Sequence, residues 1–421
     1  MEKLKVYFNQ NIVGILRLDG RRLFSFSYAE KWFKNPNAFP LSISLPLQND
    51  TFPDYIAKPF FANLLPESAV RNLISRKLGV SEKNDFMLLK LLGGECAGAI
   101  TILPGPILPE SCDQYQYRTL SEEQLTDLIN NIPKRPLLAG EEDIRISLAG
   151  AQEKLALLYK NPIFYIPLNG APSNCILKPG MVHFHSSIEN ECFCMMLADS
   201  LNLNVPSVKI IETENNRALF VQRYDRFFDN DIVIRLHQED FCQAMGLSHE
   251  LKYQADGGPG LKECFDLVRE YSANPIKDMQ QLLQWVFFNY LIGNMDAHAK
   301  NLSFLYHSRQ IRLAPFYDLL CTNIYEGLSK KFAMKIGNEN RSEWIMERHW
   351  ERFAVEISIR PVVLKKQLTN FCHKTIRRLE KTDTNFSNKY EKNELVQDII
   401  SAIKERSKRT LEKLECPANS H

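Results

Sequence analysis

Three side chains stand at a spacing that can move a phosphoryl group: Asp296, Asn301 and, after a short further segment, Asp318. Such a transfer needs one carboxylate to orient or deprotonate the attacking hydroxyl, and two oxygen ligands to hold a magnesium ion. In Gly293-Asn294-Met295-Asp296-Ala297-His298-Ala299-Lys300-Asn301 the Asp-x-x-x-x-Asn pattern supplies the base and an amide ligand. Phe316-Tyr317-Asp318 supplies the second ligand. Asp296 is therefore the expected catalytic residue, with Asn301 and Asp318 the expected metal ligands. Both residue types also favour turns, so the first pair alone fits a capped turn equally well. The third carboxylate shifts the balance toward phosphoryl transfer. Two departures stand out: Leu319 follows Asp318 where glycine is usual, and no His-Arg precedes Asp296.

A nucleotide also needs a cation held on a strand. Lys178 closes the apolar run Cys175-Ile176-Leu177-Lys178, and Glu189 and Glu191 open the helix expected next. A strand lysine paired to a helix glutamate is how kinases hold the α- and β-phosphates, and Glu191 is the expected partner. The alternative is a lysine snorkelling from an edge strand to water. Ser147-Leu148-Ala149-Gly150-Ala151-Gln152-Glu153-Lys154 is a small-residue turn whose backbone N–H groups can approach phosphate oxygens. It is neither Gly-x-Gly-x-x-Gly nor a Walker A loop, and by itself it reads as a plain turn.

Elements that could position these groups can be read from the same chain. Leu4–Phe8 and Ile12–Leu16, joined by Asn9-Gln10-Asn11, form an expected hairpin. Pro59 to Lys77 reads as helix, Leu91 to Ile100 as a glycine-punctuated strand, and the prolines at 104, 106 and 109 as a linker. Ile144–Ile146, Leu155–Tyr159, Cys175–Lys178 and Leu219–Val221 read as strands, and Ser187 as the cap of a helix through Leu197. From about Asp225 the pattern turns helical, with Met279–Ile292 its most apolar helix, interrupted by strands at Leu302–Tyr306 and Ile311–Leu313. The expectation is an α+β chain: residues 1–108 a β-rich amino-terminal subdomain, 109–224 an α/β lobe, and 225–421 a helical lobe.

Composition excludes several classes. With 44% apolar and 24% charged residues in 421, the chain can bury a large interior and is not disordered throughout. No apolar stretch approaches the ~20 residues of a membrane span, and Met1-Glu2-Lys3-Leu4-Lys5 lacks a signal-peptide core, so no membrane partner and a cytoplasmic location are expected. The ten cysteines form no Cys-x-x-Cys pair and read as free thiols. Net charge is +2, but residues 360–415 hold 14 Lys and Arg against 8 Asp and Glu, a basic end on a mildly acidic body.

Together these segments resemble the HipA family of toxin kinases, over nearly the whole chain. The family's phosphate loop is similar to Ser147–Lys154, its catalytic segment to Asp296–Asn301 and its metal segment to Pro315–Asp318. Asn63–Glu67, Leu201–Pro206 and Tyr253-Gln254-Ala255-Asp256-Gly257-Gly258-Pro259-Gly260 are similar as well. The resemblance implies a two-lobed kinase-like fold with a β-rich amino-terminal subdomain, an α/β nucleotide lobe and an all-helical carboxy-terminal lobe. It implies serine/threonine kinase activity with ATP and Mg2+. ATP would lie against Ala149, Gly150, Ala151, Gln152, Glu153, Lys154, Lys178, His298, Lys300, Asn301, Tyr317 and Asp318, with Gln222, Arg223 and Tyr224 as the adenine hinge. Gln222 replaces a glutamate, a small change where contacts run through the backbone.

The resemblance also implies autophosphorylation on Ser147, which would inactivate the enzyme because a phosphate of about −2 charge repels ATP from this loop. It implies a protein substrate among the aminoacyl-tRNA synthetases, glutamyl-tRNA synthetase being the type, with growth arrest or persistence as the result. A HipB-like helix-turn-helix antitoxin and operator DNA are the implied partners, with Lys374, Arg377 and Arg378 as candidate DNA contacts; a solvated helical face explains the same charges. Two other readings remain: a small-molecule phosphotransferase, and a catalytically inactive co-repressor bound to DNA. Retention of Asp296, Asn301, Asp318 and Lys178 together speaks against the second.

Overall fold

The computed structural model describes residues 1–415 apart from 142, 215, 308 and 309, and these form two compact units. The first comprises the described residues within Met1–Pro179, Ile211–His249 and Phe304–Arg309, and the second those within Gly180–Ile210, Glu250–Ser303 and Gln310–His421.

Alternating apolar residues build the first unit from its amino terminus. Glu2–Phe8 and Asn11–Leu18 pair antiparallel around Asn9, which sits in the left-handed region. Phe24–Tyr28 and Ile100–Pro104 extend this into a four-stranded sheet. Gly14 is required there, because a Cβ would run into the Phe26 ring. A second sheet carries six strands in the order Val208–Glu212, Arg217–Gln222, Cys175–Pro179, Leu155–Lys160, Ile163–Pro167 and Tyr117–Thr119. One buried apolar cluster, including Trp32, Phe60, Phe61, Phe86, Leu157 and Phe220, runs through both sheets and the helices Asp54–Ala62, Ser68–Leu78 and Asp85–Leu92.

Helices dominate the second unit. Asn274 accepts the Lys277 N–H at 3.3 Å and Pro275 fills the first helical position, where its missing N–H costs nothing, so the helix starts at Pro275 and runs to Ile292. Its apolar side chains leave most of it buried, and Phe287 and Tyr290 pack on Trp350 at ring separations of 5.7 and 5.1 Å. Pro361–Tyr390 and Glu394–Glu415 are long amphipathic helices; Phe386 of the former meets Phe193 of Ser187–Ser200 at 5.8 Å. Among the described residues no helix is long and apolar enough to cross a membrane.

Several elements differ from expectation. Pro59–Lys77 is not one helix but the two already named: the first ends at its Asn63 cap and the second starts at Ser68, and between them Pro66 offers no N–H and disfavours helical backbone at the residue before it. Leu91–Ile100 divides into a helix end, the two-residue strand Glu95–Cys96 and the start of Ile100–Pro104. Ser187 is the first helical residue rather than the cap; Ser186 holds the cap position. Strands continue past Asp225, as Arg226–Asp229, Ile232–Arg235 and His237–Asp240. The carboxy-terminal region, expected all-helical apart from two strands, is mainly helical and adds the hairpin Lys331–Ile336 with Glu339–Arg341.

Candidate active site

The helix Pro275–Ile292 ends directly before the expected catalytic segment. Gly293 takes φ +74°, the left-handed conformation that terminates helices, and its N–H returns to Asn289 and Tyr290. Asn294 then folds the next turn: its Oδ1 accepts the Asp296 N–H at 3.1 Å, and its Nδ2 donates to Asn289 Oδ1 at 2.8 Å. Thr322 Oγ1 accepts the Met295 N–H at 2.7 Å. From Asn294 to Asn301 every residue is buried except Asp296, whose side chain this braced turn exposes. An exposed carboxylate on a fixed backbone is suited to meeting a substrate.

Asn301 joins the two ends of the motif. Its Oδ1 accepts the His298 N–H at 3.0 Å, closing a single turn over Ala299–Asn301, so the turn-capping role is real. Its Nδ2 also donates to Asp318 Oδ2 at 3.2 Å, which a turn cap alone would not require. Tyr317 donates its hydroxyl to Lys300 O at 2.6 Å, a second link between the segments. The missing glycine after Asp318 has a structural counterpart: Asp318 itself takes φ +60°, which aspartate tolerates better than most residues. Leu319 is buried where the usual glycine would stand.

An amide and a carboxylate this close suit magnesium that arrives with a nucleotide. Such an ion takes one or two protein carboxylates and fills its remaining positions with water and phosphate oxygens. Among the described residues no group of three or more His, Cys, Asp and Glu could hold a metal, so the donor set fits a nucleotide-borne ion better than a resident one. Among the described residues the cysteines, apart from exposed Cys112, are buried, and none forms a disulfide.

Tyr253 also belongs to this constellation; its phenol donates to Asp296 Oδ1 at 2.8 Å. In the sequence reading Tyr253 stands in a motif without an assigned role. Asn294 was legible in principle, because asparagine two residues before a key aspartate is an Asx-turn signal.

In the first unit, the loop 147–154 is tied to the segment Asn63–Glu67. Ser147 is fully buried and donates its hydroxyl to Leu64 O at 2.8 Å. Gly150, at φ +112°, accepts the Glu67 N–H at 3.1 Å, and Lys154 Nζ closes the loop on Ala149 O at 2.6 Å. Ala151, Gln152 and Glu153 lie between these anchors. Lys178 stands opposite Leu219 in the central strand pair, with 9% of its surface exposed. Glu191 is buried in the helix Ser187–Ser200 of the second unit.

Of the expected hinge, Gln222 is exposed and Tyr224 half-buried, its hydroxyl donating to Gln238 Oε1. Arg223 faces inward. Its N–H is used on Asn174 O at 2.9 Å, and its guanidinium bonds Glu95 Oε1 at 2.8 Å, Asp225 Oδ2 at 2.8 Å and Ser173 Oγ at 2.9 Å. Arg226 completes this buried network on Glu95 Oε1 at 3.0 Å. Burial opposes the Asp225 carboxylate, yet the two guanidiniums outweigh it and hold its pKa below the usual range. For nucleotide contact Arg223 therefore has its carbonyl oxygen to offer, and not its side chain.

Lys374 Nζ donates to Leu201 O at 2.5 Å, at the end of the helix Ser187–Ser200, and burial pushes its pKa down. That contact gives Lys374 a structural role, whereas Arg377 is exposed and Arg378 half-exposed.

Comparison with known proteins adds an independent line. The family model described as HipA-like C-terminal domain matches residues 146–385, and the one described as HipA N-terminal domain matches residues 4–103. Y4mE of Sinorhizobium fredii is 40% identical over 376 residues, covering 88% of this chain and 90% of that protein. The serine/threonine-protein kinase toxin HipA of Shewanella oneidensis is 33% identical over 350 residues, 80% of this chain and 79% of that one. A solved complex of Shewanella oneidensis HipA with HipB and operator DNA contains a chain that superposes with a TM-score of 0.85 at 28% identity, covering 98% of both chains.

Proposed function

The chain belongs to the HipA family and has its kinase-like fold, and from that premise we propose that it is a toxin serine/threonine protein kinase using ATP and Mg2+. The observation that carries this reading is the exposure of Asp296 on a turn whose other residues are buried, beside the bonded pair Asn301 and Asp318. Asp296 orients and takes the proton of an acceptor hydroxyl as the γ-phosphoryl group is transferred. Asn301 and Asp318 hold magnesium, which when bound offsets phosphate charge. Lys178, with Glu191, steadies the α- and β-phosphates, and the loop Ala149–Lys154 covers the phosphates through its N–H groups. Gln222, Arg223 and Tyr224 line the adenine through backbone groups, while His298, Lys300 and Tyr317 border the nucleotide.

Ser147 is the site of self-inactivation in this reading, and its burial in the anchored loop supports a switch that works by expelling the loop. An aminoacyl-tRNA synthetase, glutamyl-tRNA synthetase foremost, is the proposed target in the cytoplasm, with growth arrest as the outcome. The solved neighbour contains HipB and operator DNA, which supports a HipB-like antitoxin and a DNA-bound complex here, with Arg377 and Arg378 as the nearer candidates for phosphate contact.

One experiment tests the core of this. Purified protein and its Asp296→Asn variant are incubated with labelled ATP, magnesium and a cell lysate. Label on a synthetase-sized protein, absent with the variant, is expected. Label on a small molecule instead would replace the protein-kinase reading with the small-molecule one, and no transfer with either would favour a co-repressor without catalysis.

A further inference from the structure

The stretch Tyr253–Gly260 has no part in the nucleotide reading, yet it is built to hold one side chain. Tyr253 O accepts N–H groups from Asp256 at 3.1 Å and Gly258 at 2.9 Å. Gly257 takes φ +91°, and a Cβ on Gly258 would run into the Leu251 and Tyr253 carbonyl oxygens, so both glycines are needed to make so tight a turn. Gln254 Oε1 anchors it by accepting the Lys335 N–H at 2.7 Å. The Tyr253 ring then stands edge-on to His298, with centroids 5.2 Å apart and planes at 81°, and the Lys252 ammonium lies 5.3 Å from its centroid. From that place the phenol reaches Asp296 Oδ1 at 2.8 Å, within the same compact unit.

An aspartate carboxylate on an exposed turn rotates through a broad, roughly two-fold torsion. Asn294 fixes the backbone of Asp296; nothing about that contact sets the plane of its carboxylate. We propose that Tyr253 is a positioning residue that sets this plane, so that an acceptor hydroxyl meets the base already oriented for in-line attack. The step concerned is the one proposed above, in which the acceptor O–H gives its proton to Asp296 as the new P–O bond forms and the bond to ADP breaks, and the inference rests on that reading. Orientation of this kind acts on the chemical step rather than on nucleotide binding. A phenol that instead occupied the acceptor's place would slow the enzyme, and removing it would accelerate transfer.

Tyr253→Phe separates these cases, because it keeps the ring and its contact with His298 while removing the hydroxyl. The measurement is the single-turnover rate of label transfer from ATP-Mg to protein in a lysate, as a function of ATP concentration. Losing one hydrogen bond to a charged group should lower the maximal rate roughly ten-fold, with half-saturating ATP unchanged within about two-fold. An unchanged or increased maximal rate would overturn the proposal, and so would a loss accompanied by a matching rise in half-saturating ATP, which would mean the phenol supports the fold. Asp296→Asn runs alongside: if it transfers label at the wild-type rate, the kinase reading itself falls, an outcome distinct from failure of Tyr253 alone.

Discussion

Asn301 donates its side-chain N–H to Asp318 Oδ2 across 3.2 Å, joining two segments of the chain through the groups expected to share a metal. Asn301→Ala removes one proposed ligand and releases the other from its partner. The magnesium concentration giving half-maximal label transfer should rise about 10–100-fold, read from a magnesium titration at fixed ATP. An unchanged midpoint would remove Asn301 from the metal site.

Glu95 is completely buried with Arg223 and Arg226 on one of its oxygens. Glu95→Ala would leave the two guanidiniums with Asp225 as the carboxylate they share, and removing one partner of such a group costs about 3–5 kcal/mol. Urea denaturation should register a loss of that order. Glu95→Gln, which keeps the shape and one acceptor, should lose less. Equal, small losses for both would mean that water replaces the carboxylate.

Glu239 titrates against its surroundings. Burial raises its pKa from 4.5 to about 7, although Ser42 Oγ, Tyr306 OH and the Ile43 N–H all donate to it. Between those values the folded chain keeps a proton that the unfolded chain has released, so this group's contribution to stability is complete below 4.5 and is lost as pH rises through 7. Thermal melts of wild type and Glu239→Gln should therefore shift relative to each other by several degrees from about pH 5 to about pH 8, the variant gaining. Parallel curves would show that Glu239 does not titrate in this range.

Ser147 has no exposed surface and donates to Leu64 O. A phosphate cannot be added or housed there with the loop in place, so Ser147→Asp should free residues 147–154 from Asn63–Glu67 and weaken ATP binding. Limited proteolysis should cut this loop in the variant and spare it in the wild type. Ser147→Ala should cost only about 1 kcal/mol and, with ATP, acquire no label on the loop.

The amino-acid sequence by itself determined what is local. Asp296 and Asn301 are legible because their separation is closed by one turn, Gly293 ends its helix through its own φ, and Asn274-Pro275 starts that helix through its own caps. Pro66 carried the signal for the helix break as well, although the apolar run around it masked that signal. Tertiary structure alone decided the rest. Tyr253 meets Asp296 across 43 positions, Arg223 meets Glu95 across 128 and Ser147 meets Leu64 across 83. No periodicity encodes such meetings, because they depend on which faces pack together once burial has paid the entropy of ordering the chain. Spacing thus singled out the groups proposed to react, while packing chose the residues that hold them still and turned the Arg223 side chain into a buried tie.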